Sequence, residues 1–223
     1  MNHTNNIVKK PWGYEYLAYE NNKVALWVLH IENEQKTSMH CHPNKTTGLA
    51  VLDGNVEVSF LSNSSRLTSL NKIMIRKGLF HSTMAISEDG ATVLEIETPV
   101  DKHDLVRLRD DYGREGKPYE NSTFEYPKED DCIWIENPTD LKPSVYHVAN
   151  SKLTVVKVED VDYFNNLQDN KNIMFLQGGI LTEYGINVAG AGDIVSAKVL
   201  KNLIKVFTKV RNNTTIMMME KDV

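Results

Sequence analysis

Two histidines separated by one residue, His40 and His42, lie in the run Thr37-Ser-Met-His-Cys-His-Pro-Asn-Lys-Thr-Thr-Gly-Leu-Ala-Val-Leu-Asp-Gly54. A third, His81, closes Arg76-Lys-Gly-Leu-Phe-His81. On a β-strand, residues i and i+2 share one face, about 6–7 Å apart. Two imidazoles so placed converge on one ion if a third ligand arrives from another strand. The pattern predicts a metal centre ligated by His40, His42 and His81 inside a small β-barrel. Imidazole suits several transition metals, so Zn, Fe, Mn, Ni and Co all remain open for the one divalent ion expected.

Other polar residues lie near this pattern. Glu95 and Glu97 alternate with Leu94 and Ile96 in Thr92-Val-Leu-Glu-Ile-Glu97. Such alternation puts both carboxylates on one face. The simpler expectation is a solvent-facing pair. On a barrel-facing strand, Glu97 would instead supply a general base or a metal-binding carboxylate. Lys45 follows the histidine pair in a loop, where it either meets an anionic substrate at the barrel mouth or is simply solvated. Cys41 lies between the histidines and points away from their face.

The elements that must position these residues are short and β-like. Val24–Ile31, Leu49–Leu52, Val56–Phe60, Ile73–Ile75 and Thr92–Glu97 read as strands, with a hairpin signal at Asp53-Gly54. Strands spaced this closely suggest an antiparallel sandwich or barrel. Asp104-Leu-Val-Arg-Leu-Arg-Asp110 has near-helical apolar spacing and reads as a short helix ending at Tyr112-Gly113. A Pro-rich polar stretch follows, with a short strand expected at Cys132–Ile135. Further strands are expected at Leu153–Val158, Ile173–Leu176, Ile180–Tyr184, Lys205–Phe207 and Thr215–Met219.

An internal repeat links the halves. Val51-Leu-Asp-Gly-Asn-Val56 matches Phe175-Leu-Gln-Gly-Gly-Ile180, Asn71–Ile75 matches Gly192–Ser196, and Thr92–Glu97 matches Thr215–Glu220. On that alignment Phe164, Asn166 and Asn202 replace His40, His42 and His81. The expected organisation is a metal-binding domain at 1–114, a linker at 115–150, and a degenerate domain without ligands at 151–223. The second half would widen the mouth, bind a partner or supply a homodimer surface.

Composition excludes several classes. The chain has 223 residues, 41% hydrophobic and 25% charged, enough for a core that needs no staple. A formal net charge of -5 with scattered Lys and Arg argues against nucleic acid or a membrane surface as partner. The two cysteines are too few for a disulfide framework. No apolar run reaches about 18 residues, and Met1-Asn-His-Thr-Asn-Asn lacks a signal-peptide core, so a cytoplasmic location is expected.

The first half resembles the cupin family. His40-Cys-His42 with Gly54, and Gly78-Leu-Phe-His81, match its two motifs over roughly residues 35–98. At the glutamate position of the first motif stands Thr47. The flanks Lys10-Pro-Trp-Gly-Tyr-Glu15 and Asp104–Arg114 resemble cupin sugar-phosphate isomerases, including mannose-6-phosphate isomerase modules. The resemblance implies an all-β fold of two tandem double-stranded β-helix (jelly-roll) barrels, with a short helix and linker between them. It further implies metal-dependent aldose–ketose isomerisation of a small sugar or sugar phosphate. In that reading Arg114 and Glu97 are catalytic, Arg114 gripping a phosphate or stabilising the enediolate, and Lys45 and Arg107 bind substrate. The alternative for Arg114 is a pair with Asp110 or Asp111, and for Arg107 a structural role. Two rival functions are a three-histidine iron dioxygenase and a non-catalytic sugar-binding or regulatory cupin.

Overall fold

The structure is a computed structural model that describes residues 7–101, 103–115 and 132–222. The chain divides into two compact units, Met1–Trp134 and Ile135–Val223.

The first unit begins with β1 (Ile7–Lys10), β2 (Gly13–Glu20) and β3 (Ala25–Ile31). There follow β4 (Met39–Cys41), β5 (Thr46–Asp53), β6 (Asn55–Phe60), β7 (Ser64–Thr68) and β8 (Lys72–Ile75). The unit closes with β9 (His81–Ala85), β10 (Ala91–Thr98) and β11 (Val106–Arg109). These form two antiparallel sheets, ordered β1-β2-β3-β10-β5-β8 and β11-β4-β9-β6-β7. Without the edge strands, the orders β3-β10-β5-β8 and β4-β9-β6-β7 are the two four-stranded halves of a jelly roll. Asp53-Gly54, expected as a hairpin, is instead a tight connection that carries the chain from one sheet to the other: β5 pairs with β10 and β8, and β6 with β7 and β9. Gly54 has φ +75°, and a Cβ there would sit 2.5 Å from the Gly90 carbonyl oxygen, so only glycine fits.

The barrel interior changes character along its length. Inward positions of β10 run Val93, Glu95, Glu97, and those of β5 run Val51, Leu49, Thr47. One end is closed by a packed core including Trp27, Leu29, Ile31, Val56 and Val58. The other end carries the polar residues. Period-two alternation thus builds core and cavity from the same strands.

Two expectations are corrected here. Residues 104–110 are not helical: β11 pairs with the edge of β4, Arg107 opposite His40. Leu105 and Arg107 face the barrel cavity while Val106 and Leu108 are exposed, a two-residue period that favours a strand. Cys132–Ile135 is buried but is not a strand. The Ile133 N–H donates to the Tyr16 hydroxyl at 3.3 Å and Trp134 packs edge-on to Tyr16, so side chains of β2 and not a ladder hold this segment.

The second unit contains β12 (Ser144–Val148), β13 (Ser151–Val158), α1 (Asp162–Asn165), β14 (Asn172–Gln177) and β15 (Gly179–Leu181). It continues through β16 (Asn187–Gly190), β17 (Ile194–Ser196), α2 (Ala197–Leu203), β18 (Lys209–Val210) and β19 (Thr214–Lys221). Its sheets are ordered β12-β13-β19-β14-β17 and β16-β15-β18. The order β13-β19-β14-β17 repeats β3-β10-β5-β8, and β18-β15-β16 repeats β9-β6-β7. The counterpart of β4 is missing, and α1 occupies its place in the chain.

The repeat aligned from sequence therefore holds for the glycine-containing connection between the sheets and for the long strands, but not for the ligand positions. Phe164 is a core residue of α1, Asn166 is its C-cap, and Asn202 lies in α2. Lys205–Phe207, expected as a strand, follows α2 as a turn, and the strand is β18. Within the range read as linker, β12 pairs with β13, while residues 116–131 lie outside the described residues.

Candidate functional site

The three histidines meet where β4 and β9 pair. His40 lies directly opposite His81, and His42 follows the end of β4. Ring centroids are 4.5 Å apart for His40–His81, 5.0 Å for His40–His42 and 5.6 Å for His42–His81. One ligand atom from each lies within 4.8 Å of the others.

Each ring is oriented by a backbone carbonyl. The Nδ1 atoms of His40, His42 and His81 lie 2.8, 2.6 and 3.0 Å from the carbonyl oxygens of Ser38, Asp104 and Leu79. A carbonyl only accepts, so the network assigns the proton to each Nδ1 and the lone pair to each Nε2. Desolvation inside the barrel holds the His40 imidazole well below its usual value and pushes His81 down to about 4, so both are neutral near pH 7. The Nε2 of His81 is buried and makes no hydrogen bond. Neutral rings presenting acceptor nitrogens to one another cannot satisfy each other by hydrogen bonding. A divalent cation can, and carbonyl-anchored Nδ1–H groups are the usual support for such ligands. The donor set fits a divalent metal.

The carboxylates face inward, which corrects the expectation of a solvent-facing pair. Glu97 is buried and Glu95 half-buried, and with His42 they form a second group with ligand atoms within 4.8 Å. Register explains this: Glu95 lies beside Trp27 and Leu49, and Glu97 beside Ala25 and Thr47, all on interior positions. Lys45 is likewise not a solvated loop residue. It is 3% exposed, and its Nζ donates to Glu97 Oε1 at 2.6 Å. Glu97 Oε1 is also 3.9 Å from His42 Nε2.

Asp104 ties these parts together and was not singled out by sequence reasoning. Its carbonyl holds the His42 ring. Its carboxylate accepts from the backbone N–H groups of Asn44 and Lys45, each at 2.8 Å, and from the Asn44 amide at 2.9 Å. Burial pushes this carboxyl up, but the hydrogen bonds outweigh it and hold it below the ordinary value. The helix expected over this segment hid the role, because a helical Asp104 would have been a cap.

Arg107 and Arg114 both line the same cavity. The Arg114 guanidinium forks onto the buried Asp110 carboxylate, Nη2 to Oδ1 at 2.6 Å, and sits 5.2 Å from the Tyr112 ring centre. Lys10 and Trp12 also line the cavity, Lys10 with a buried ion pair to Glu15 at 3.6 Å, whereas Tyr14 stacks on His30. Trp27, which no motif marked, forms part of the wall. The space within this cavity open to the centre of a water molecule is about 80 Å³.

All seven residues singled out for chemistry therefore border one cavity. Among the described residues no helix is long and apolar enough to cross a membrane.

No family model and no curated protein matches the chain. Solved structures similar to it include KdgF from Halomonas sp., at 15% identity over 45% of this chain and 94% of that one, TM-score 0.41. A double-stranded β-helix protein from Klebsiella pneumoniae matches at 16% identity over 43% and 84%, TM-score 0.40. A cupin-2 domain protein from Shewanella frigidimarina matches at 20% identity over 41% and 84%, TM-score 0.36. Each covers less than half of this chain, and the jelly-roll assignment rests on the strand order described above.

Proposed function

We propose that the first unit is a metal-dependent isomerase acting on a small sugar or sugar phosphate. The observation that carries this reading is the convergence of three carbonyl-anchored imidazoles beside a buried carboxylate in one cavity. A divalent ion held by His40, His42 and His81 would act there as a Lewis acid on a substrate carbonyl. Glu97, buried and inward-facing, is placed to take and return the proton moved between adjacent carbons. Lys45 orients that carboxylate through its 2.6 Å hydrogen bond to Oε1. Arg107, and Arg114 as steadied by Asp110, attract the anionic end of the substrate. Trp12 and Trp27 offer apolar walls to a sugar ring or chain.

The direct test is proton exchange. Metal-loaded protein in D₂O is incubated with aldose phosphates and followed by NMR for deuterium at C2 and for the ketose. The expected result is both signals, with Glu97→Gln slowed by about 10²–10⁴-fold. Dioxygen uptake with iron-loaded protein and no exchange would favour the dioxygenase chemistry instead.

A further inference from the structure

We propose that this cavity admits only short substrates, acyclic hydroxycarbonyl compounds of three or four carbons, and that Trp27 sets the limit. The inference deepens the proposed function by naming the substrate class. It rests on that reading in taking the cavity for the substrate site.

Three observations carry it. The first is room. The space open to the centre of a water molecule is about 80 Å³, and one ordered water needs about 10–15 Å³ of such space. At most about eight water-sized groups therefore fit. A tetrose fills that allowance, and a hexose phosphate far exceeds it. The second is enclosure. Among the described residues, none that lines the cavity is exposed: Lys10, Trp12, Lys45 and Arg114 are buried, and Glu95 and Arg107 are half-buried. A longer chain has no open groove along which to lay its far end. The third is the floor. Along the inward face of β3, Ile31 belongs to the packed core alone, while Leu29 and Trp27 border the cavity. Trp27 stands opposite Leu17 on β2 and opposite Glu95 on β10. Its indole is 5% exposed and takes up depth that a smaller side chain would leave to the ligand. Truncating a large buried residue leaves a void where the surroundings relax only in part, and here that void would open into the ligand space.

Selection by room has a distinctive signature. Truncating Trp27 improves the binding of longer ligands. A tryptophan that only packs the core, or only stacks on the ligand, predicts a loss for every ligand.

The test titrates the full-length protein, loaded with Co(II), with 2-hydroxy acids of increasing length: glycolate, lactate, glycerate, threonate and gluconate. Binding is read by visible absorption and calorimetry. The same ladder is run on the apo protein by calorimetry, so the cut-off is read whether or not an ion binds. The expected result is affinity maintained to threonate and a fall of at least about tenfold at gluconate. In Trp27→Leu, gluconate binds at least about tenfold more tightly than to the wild type, while glycolate binds no more tightly. Trp27→Phe lies between. A gain in affinity cannot come from misfolding. A wild type that binds gluconate as tightly as threonate, or that binds none of the acids, would overturn the length limit. A cut-off unmoved in Trp27→Leu and Trp27→Phe, or moved only by Trp12→Leu, would overturn the assignment to Trp27. The isomerase reading fails separately: a protein that keeps the cut-off but catalyses no exchange in D₂O would leave the size limit standing without that reaction.

Discussion

At the scale of single residues, tautomer and burial decide what the histidines can do. Carbonyl oxygens at Ser38, Asp104 and Leu79 hold the Nδ1 protons, leaving the Nε2 atoms as acceptors. The histidine types and spacing are legible in the sequence, but the supporting carbonyls are not, because any residue offers one. The inward aim of Glu97 was equally hidden: the alternation of residues 94–97 fits either face, and only pairing with Trp27, Leu49 and Thr47 selects the interior. Burial of His81 has a consequence for stability. Its folded value of about 4 lies below the ordinary 6.5, so between these pH values the unfolded chain binds a proton that the folded chain does not. Stability therefore rises with pH through this window and is lost on acidification. The loss from this one residue is about 3 kcal/mol across the window. Denaturant unfolding of apo protein at pH 4.5 and pH 7 should show it, and His81→Gln should flatten the dependence. An unchanged pH slope in that variant would contradict the burial account.

At the scale of elements, the long strands follow from alternation, and they are where sequence reading succeeds; Asp53-Gly54 marks a true reversal of the chain, but β5 and β6 enter different sheets, so no hairpin forms. Sequence reading also fails at β11. Seven residues with apolar groups at 105, 106 and 108 satisfy a short helical pattern as well as a strand. The open edge of β4 resolves the ambiguity by offering unpaired backbone groups. As a strand, this segment delivers Arg107 to His40 and places Asp104 under the loop that carries Lys45. Asp104→Ala removes the carboxylate that accepts from Asn44 and Lys45 while leaving the carbonyl at His42 intact. The expected effect is a destabilisation of about 2–3 kcal/mol, measured by chemical denaturation, with Asp104→Asn losing less. A neutral Asp104→Ala would show that this anchor does not matter to the fold.

At the scale of the molecule, one strand order appears twice, complete in the first unit and without a β4 equivalent in the second. The repeat is visible because the glycine-containing connection and the long-strand residues keep their pattern. The exchange of β4 for α1 was not, since four residues are too few to carry a period. That exchange removes the strand on which a His-x-His pair would sit. Both clusters able to hold an ion, among the described residues, lie in the first unit. The second unit is proposed to serve as a partner or dimer surface. The central claim is that His40, His42 and His81 form one metal centre per chain. Its most direct test is elemental analysis of untagged protein beside His40→Ala/His42→Ala. The account predicts close to one divalent ion per chain in the first and none in the folded variant. No ion in the wild type after reconstitution with Zn, Mn, Fe, Ni or Co, or an equal content in the variant, would contradict it.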